Sequence, residues 1–126
     1  MQTEINELNE LEVNGVKYVR KGEEARPAQE CEGMPFVIVR SFAAGCFAGF
    51  MATKDGQEVT LLRARRLWYW DGAASLSQLA EDGVNKPQNC KFPKEVSKIV
   101  ITKAEEIISC TEKSQKSIWA VKEWAQ

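Results

Sequence analysis

A small, β-rich α+β domain is what the sequence predicts: an antiparallel meander, a short helix after a Trp-Tyr-Trp strand, and a C-terminal helix. Three observations predict it. Between Phe36 and Leu62, three β-rich runs are joined by short turns. Ser75 is followed three residues on by Gln78 and then by Gly83, the start and stop signals of a short helix. Ile118, Val121 and Trp124 recur with helical spacing behind Thr111, a candidate cap.

The bulk numbers fit one domain of ordinary globular type. The chain has 126 residues, 44% hydrophobic and 28% charged, enough for one modest core. Its 17 Lys+Arg and 18 Asp+Glu leave a net charge of −1, so bulk electrostatics gives no pull toward nucleic acid or an anionic membrane. No apolar run reaches the roughly 18 residues of a membrane span. The opening MQTEINELNE is acidic and lacks an apolar signal-peptide core, so cytosolic synthesis without export is expected.

Two parts are expected, an arm over residues 1–35 and a body over 36–126. Ile5, Leu8 and Leu11 share a face of a helix over 3–12, capped by Thr3. So short a helix is unstable alone in water. It must dock on its own domain or on a second copy, which makes Ile5, Leu8 and Leu11 candidate oligomerisation residues. Asn14-Gly15 between β-rich flanks predicts a hairpin, with Leu11, Val13, Val16 and Tyr18 on alternating faces. Residues 21–35 are polar, punctuated by Gly and Pro, and read as a linker or extended arm. Residues 1–32 carry eight acids and four bases, and the remainder 13 bases and ten acids.

In the body, Phe36–Phe42 is the first strand and residues 46–53 the second, with Gly49 as a bulge or a point of close approach. Lys54–Gln57 is a turn centred on Asp-Gly, and Glu58–Leu62 the third strand. A helix from Ser75 to Gly83 buries Leu76, Leu79 and Ala80. Residues 85–95 form a loop with two prolines. Residues 96–102 read as a strand with Ile99 and Ile101 facing the core. Ile107-Ile108 favours a strand within 103–110, and residues 111–124 read as a helix.

Missing residues exclude much chemistry. With no histidine, the usual Ser-His-Asp and Cys-His catalysis and histidine metal sites are absent. Cys31, Cys46, Cys90 and Cys110 form no C-x-x-C, and reduced, partly buried thiols are expected. No glycine pattern cradles phosphate. Asp55, Asp71 and Glu95 show no readable carboxylate pairing. Neither a catalytic residue, a metal site nor a cofactor is assigned, and the chain is expected not to be an enzyme.

The unusual segment is RARRLWYW. Arg63, Arg65, Arg66, Trp68, Tyr69 and Trp70 fall within eight residues and form the candidate binding patch. As a strand, Arg66, Trp68 and Trp70 would share one face, with Arg63, Arg65, Leu67 and Tyr69 on the other. Three readings stand: indoles filling the core under the following helix, a protein or self-association surface, and a nucleotide or nucleic-acid surface. The net charge speaks against the last. Lys86, Lys91, Lys94, Lys98 and Lys103 make a second basic stretch, read as a solvated face.

The segment RARRLWYWDGAASLSQLAEDGVNKP resembles a family of small proteins of unknown function from tailed bacteriophages and prophages. The shared pattern falls on Arg65, Arg66, Leu67, Trp68, Tyr69, Trp70, Gly72, Ala73, Ser75, Leu76, Leu79 and Ala80. VRSFAAGCFAGF before it and EEIISCTEKSQKSI after it are similar too, so the likeness spans roughly residues 36–121. It implies phage origin and a small, mostly β domain, and it assigns no functional residue. The expected function is binding, by a phage accessory protein that engages a host protein in the host cytoplasm, as an anti-defence or host-takeover factor. The alternatives are a structural or accessory component of the virion, and a protein that binds or sequesters nucleotides or nucleic acid. No membrane partner is expected.

Overall fold

A computed structural model describes residues 10–13, 16–19 and 26–125. The fold is α+β. Strands β1 (Glu10–Val13) and β2 (Val16–Val19) form a hairpin. Strands β3 (Phe36–Ser41), β4 (Gly45–Asp55), β5 (Glu58–Arg66), β6 (Val96–Ile101) and β7 (Glu106–Ser109) form a five-stranded antiparallel sheet in the order β6-β5-β4-β3-β7. Among the described residues two helices complete it, α1 (Leu76–Asp82) and α2 (Glu112–Ala120), with a 3-10 turn at Pro87–Asn89. Among the described residues, no helix is long and apolar enough to cross a membrane.

The helical reading of 3–12 is corrected at its end. Glu10–Val13 is a strand, with Leu11 opposite Tyr18 and Val13 opposite Val16. Pairing with β2 satisfies backbone groups that a short, isolated helix leaves open to water. Ile5, Leu8 and the Asn14-Gly15 turn lie outside the described residues. In the 21–35 segment, residues 26–30 are docked on the body and Cys31–Met34 closes a tight turn. Ala28 N–H donates to the Cys110 carbonyl (3.1 Å), Glu112 N–H to Arg26, and Gln29 N–H to the Gln115 side chain (2.8 Å).

The five-stranded sheet is rolled. Ala104 N–H donates to the Gln57 carbonyl and Glu105 N–H to the Arg40 carbonyl, at 2.8 and 2.9 Å. Arg40 pairs with Cys46 near the start of β4, whereas Gln57 follows its end. Laid flat, those positions lie about 30 Å apart, yet the two amides belong to adjacent residues. Strand β4 therefore coils around, and the β6–β7 link crosses the resulting open barrel. Its inside holds Val37, Val39, Phe47, Val59, Leu61, Ala64, Ile101 and Ala104, all buried. Its outside carries Phe36, Ile38, Ala48 and Phe50, packed against Leu79 and Ala80 of α1 and Ile118 of α2.

Helix signals act where they are expected. Gln78 N–H donates to Ser75 Oγ (3.1 Å) and Gly83 N–H to the Leu79 carbonyl (2.9 Å), fixing both ends of α1. Ser114 N–H donates to Thr111 Oγ1 (3.0 Å) at the start of α2. That helix ends at Ala120, short of the expected 124, so Trp124 is not on its stripe.

One irregularity decides what RARRLWYW does. Phe50 pairs with Leu62 and Ala48 with Arg65, so β5 carries one residue more than β4 between these points. Arg63 takes the extra place with a φ of 50°, a left-handed bulge residue. Gly49 faces it. A Cβ there would lie 3.0 Å from Ala64 Cα and 3.1 Å from the Leu62 carbonyl oxygen, so the close approach needs glycine. The bulge breaks strand alternation. Arg63 and Arg65 both reach the helix-bearing face, and Arg66 turns to the other.

Candidate functional site

The six residues of the patch divide into internal and external groups. Arg65 is internal, 5% exposed. Its guanidinium donates to the carbonyls of Ile118 (2.9 Å), Val121 (2.8 Å), Phe92 (2.8 Å) and Pro93 (3.3 Å). Two of these lie at the C-terminal end of α2, where carbonyls face outward and the helix dipole is negative. Burial lowers the Arg65 pKa from its ordinary value, and the charges of Glu95 and Glu123 act the other way. Arg65 ties a central strand to the end of a helix. It is not available to a ligand.

Arg63 and Arg66 are outside but engaged. Arg63 pairs with Glu95 at 3.2 Å and lies over the rings of Trp119 (5.2 Å) and Phe50 (5.7 Å). Arg66 lies 4.5 Å from the Phe47 ring centroid and donates to the Ala44 carbonyl, bracing the β3–β4 turn. The face that was to join Arg66, Trp68 and Trp70 does not form. The strand ends at Arg66, and Trp70 is half-buried against the helix-side core.

Trp68 and Tyr69 are the external pair, 64% and 50% exposed. Their backbone is fixed. Leu67 N–H donates to the Cys46 carbonyl (2.8 Å), while Tyr69 and Lys91 exchange both backbone bonds at 3.2 and 2.8 Å. The next segment joins on the far side, where Trp124 N–H donates to the Phe92 carbonyl at 3.0 Å. Three short segments, around 69, 91 and 124, thus form an irregular ribbon. The Lys91 ammonium lies 5.9 Å from the Tyr69 ring centroid and 5.6 Å from that of Trp124. Beside Trp124 runs a groove of about 640 Å³, lined among others by Pro87, Gln88, Ala120, Lys122 and Glu123.

Sequence reasoning missed Lys91 and Trp124 as members of this surface. The sequence pattern places Lys91 in a solvated basic stretch and Trp124 on a helical stripe. No local signal marks either residue, because both join Tyr69 only through the fold. Phe42 also escapes the strand expected for it. It sits at the β3–β4 turn, 89% exposed, its N–H donating to Glu105.

Two of the three candidate carboxylates, Asp71 and Glu95, are engaged by neighbouring side chains. Asp71 accepts from Asn89 Nδ2 (3.0 Å) and Glu95 from Arg63. Among the described residues, no cluster of three or more Cys, Asp or Glu has metal-holding geometry. The four cysteine thiols are free, with Cys90 and Cys110 buried. Burial raises the Cys46 and Cys90 thiols and pushes Cys110 up from 9.0 to about 12. Because the thiolate is the nucleophile, a maleimide at neutral pH is expected to leave Cys90 and Cys110 of the native protein unlabelled. Mass spectrometry should find all four modified after denaturation. Labelling of native Cys110 at the rate of a free peptide thiol would contradict its burial. The raised Cys110 thiol favours the fold fully below pH 9, and this contribution is lost as the pH rises toward 12.

Residues 34–118 match a protein family described as a domain of unknown function (DUF6948). No curated protein and no solved structure matches the chain.

Proposed function

We propose that this chain, which belongs to the DUF6948 family, acts without catalysis as a phage accessory protein that binds a protein of the infected host. One observation carries the binding: Trp68 and Tyr69, adjacent aromatics on a paired backbone, present their side chains to solvent. Trp, Tyr and Arg are the residues that anchor protein interfaces. Large apolar rings left in water gain nothing for the fold, whereas a fixed backbone lowers the entropy lost on docking. The phage setting rests on the likeness around RARRLWYWDGAASLSQLA.

The test is photo-crosslinking in infected cells, with a benzophenone amino acid replacing Tyr69 and, as control, Lys54 at the other end of β4. One host protein captured from position 69 and not from 54 is the expected outcome. The double variant Trp68→Ala/Tyr69→Ala should fold with stability within about 0.5 kcal/mol of wild type and lose that partner. Equal capture from both positions would remove the surface from consideration. Capture of particle proteins alone would make the chain a virion component.

A further inference from the structure

Resting on that reading, we infer that the partner presents an acidic segment: a large aliphatic side chain seated in the groove beside Trp124, with carboxylates on Lys91 and Lys122. The groove supplies apolar walls in Pro87, Ala120 and Trp124. Its charged rim is mostly basic. Lys122 lines it, Lys91 lies over the Trp124 ring, and exposed Lys86 opens the 3-10 turn that forms one wall. Among the described residues, none of these three lysines makes an ion pair. On the acidic side stand Glu123, which lines the groove, and Asp71, whose carboxylate already accepts from Asn89.

Cationic groups around an apolar slot select an occupant of opposite charge, and most strongly through encounter rate and register. The geometry also favours a peptide over a nucleic-acid strand. A base stacks on an open ring face, and at the groove the Lys91 ammonium already lies over the rings of Tyr69 and Trp124. An aliphatic side chain needs no such face, and Lys91, held between the rings, keeps N–H donors for a carboxylate.

Fluorescence anisotropy of the full chain tests this with three labelled probes. They are a Glu/Asp peptide around a central Leu-Leu-Phe, the same peptide with Lys for each acid, and an oligo-dT strand. The acidic peptide should bind and weaken with added salt. The variant Lys91→Glu/Lys122→Glu should lose about tenfold or more in affinity for it, with its circular dichroism unchanged. Tighter binding of the basic peptide, binding of oligo-dT alone, or no binding by any probe would each overturn the inference. A crosslinked partner at position 69 that shows no acidic segment would overturn it too, while leaving the binding surface itself in place. If Lys91→Glu disturbs folding, Lys122→Glu alone gives the same reading.

Discussion

Replacing Arg65 by methionine is expected to cost about 2–4 kcal/mol of folding stability. Methionine keeps much of the stem's packing but supplies no donor. The Val121 carbonyl, bonded at 2.8 Å, is then buried without a partner, and those of Ile118 and Phe92 keep only their backbone donors, Val121 N–H (3.3 Å) and Trp124 N–H (3.0 Å). A buried acceptor stripped of its donor loses its water and gains nothing in exchange. For a domain of this size the melting temperature should fall by roughly 10–15 °C. Arg66→Met is the control. Its guanidinium bond to Ala44 is exposed, so about 1 kcal/mol or less is expected. Urea unfolding of both variants decides the matter. Equal, small losses would mean that water replaces the Arg65 side chain, and that β5 is not tied to the end of α2 through this group.

Gly83→Ala should be comparably damaging, for a different reason. Gly83 has φ 77° and ψ −157°, a region that is essentially glycine's alone and costs other residues about 1–3 kcal/mol. An added Cβ would also fall 2.3 Å from Ser117 Cβ and 2.4 Å from Ser117 Oγ, and overpacking of that kind costs about 1–3 kcal/mol. Together a loss of about 3 kcal/mol or more is expected. Ser117 is not a passive neighbour. Its hydroxyl accepts from Val84 N–H (2.9 Å) and donates to the Val84 carbonyl (3.1 Å), clamping α1 to α2. Gly83→Ala/Ser117→Gly relieves the clash but not the backbone strain. Because Ser117→Gly also removes that clamp, the double variant is compared with Ser117→Gly alone, and thermal melts of the three variants separate the contributions. A stable Gly83→Ala protein would contradict the tight seam between the helices.

What was legible in the sequence was local chemistry. Ser75, Gln78, Gly83 and Thr111 act within a few residues of themselves, and each sits at the helix end expected. The strands of the meander were legible for the same reason, through short turns and alternation. Gly49 was readable as a place of close approach. What it approaches was not, because the extra residue lies on the partner strand. Nothing in Arg-Ala-Arg-Arg marks Arg63 as left-handed; alternation separates Arg63 and Arg65 from Arg66 as the structure does, but it does not show that the strand stops at Arg66, so the face of Arg66, Trp68 and Trp70 never forms. The end of α2 was likewise set from afar, since Arg65, on a strand, takes the carbonyls of Ile118 and Val121. The surface around Lys91 was hidden because its three segments meet only in the fold. Residue type marks Trp68 and Tyr69 as candidates but does not decide their exposure, since an indole suits a core as well as an interface.

The rolled sheet has a consequence for how the chain folds. Ile38, in the first strand of the sheet, pairs with Ile108, in its last, and the intervening strands must be in place for the β6–β7 link to reach across. Such distant pairings demand that chain entropy be lost before contact energy is returned. Folding should be slow beside helical bundles of similar length, and cooperative, with no stable half. A chain broken between β6 and β7 would leave β3 with a bare edge able to pair with another molecule. Fragments of this protein are therefore expected to aggregate where the whole body stays dispersed.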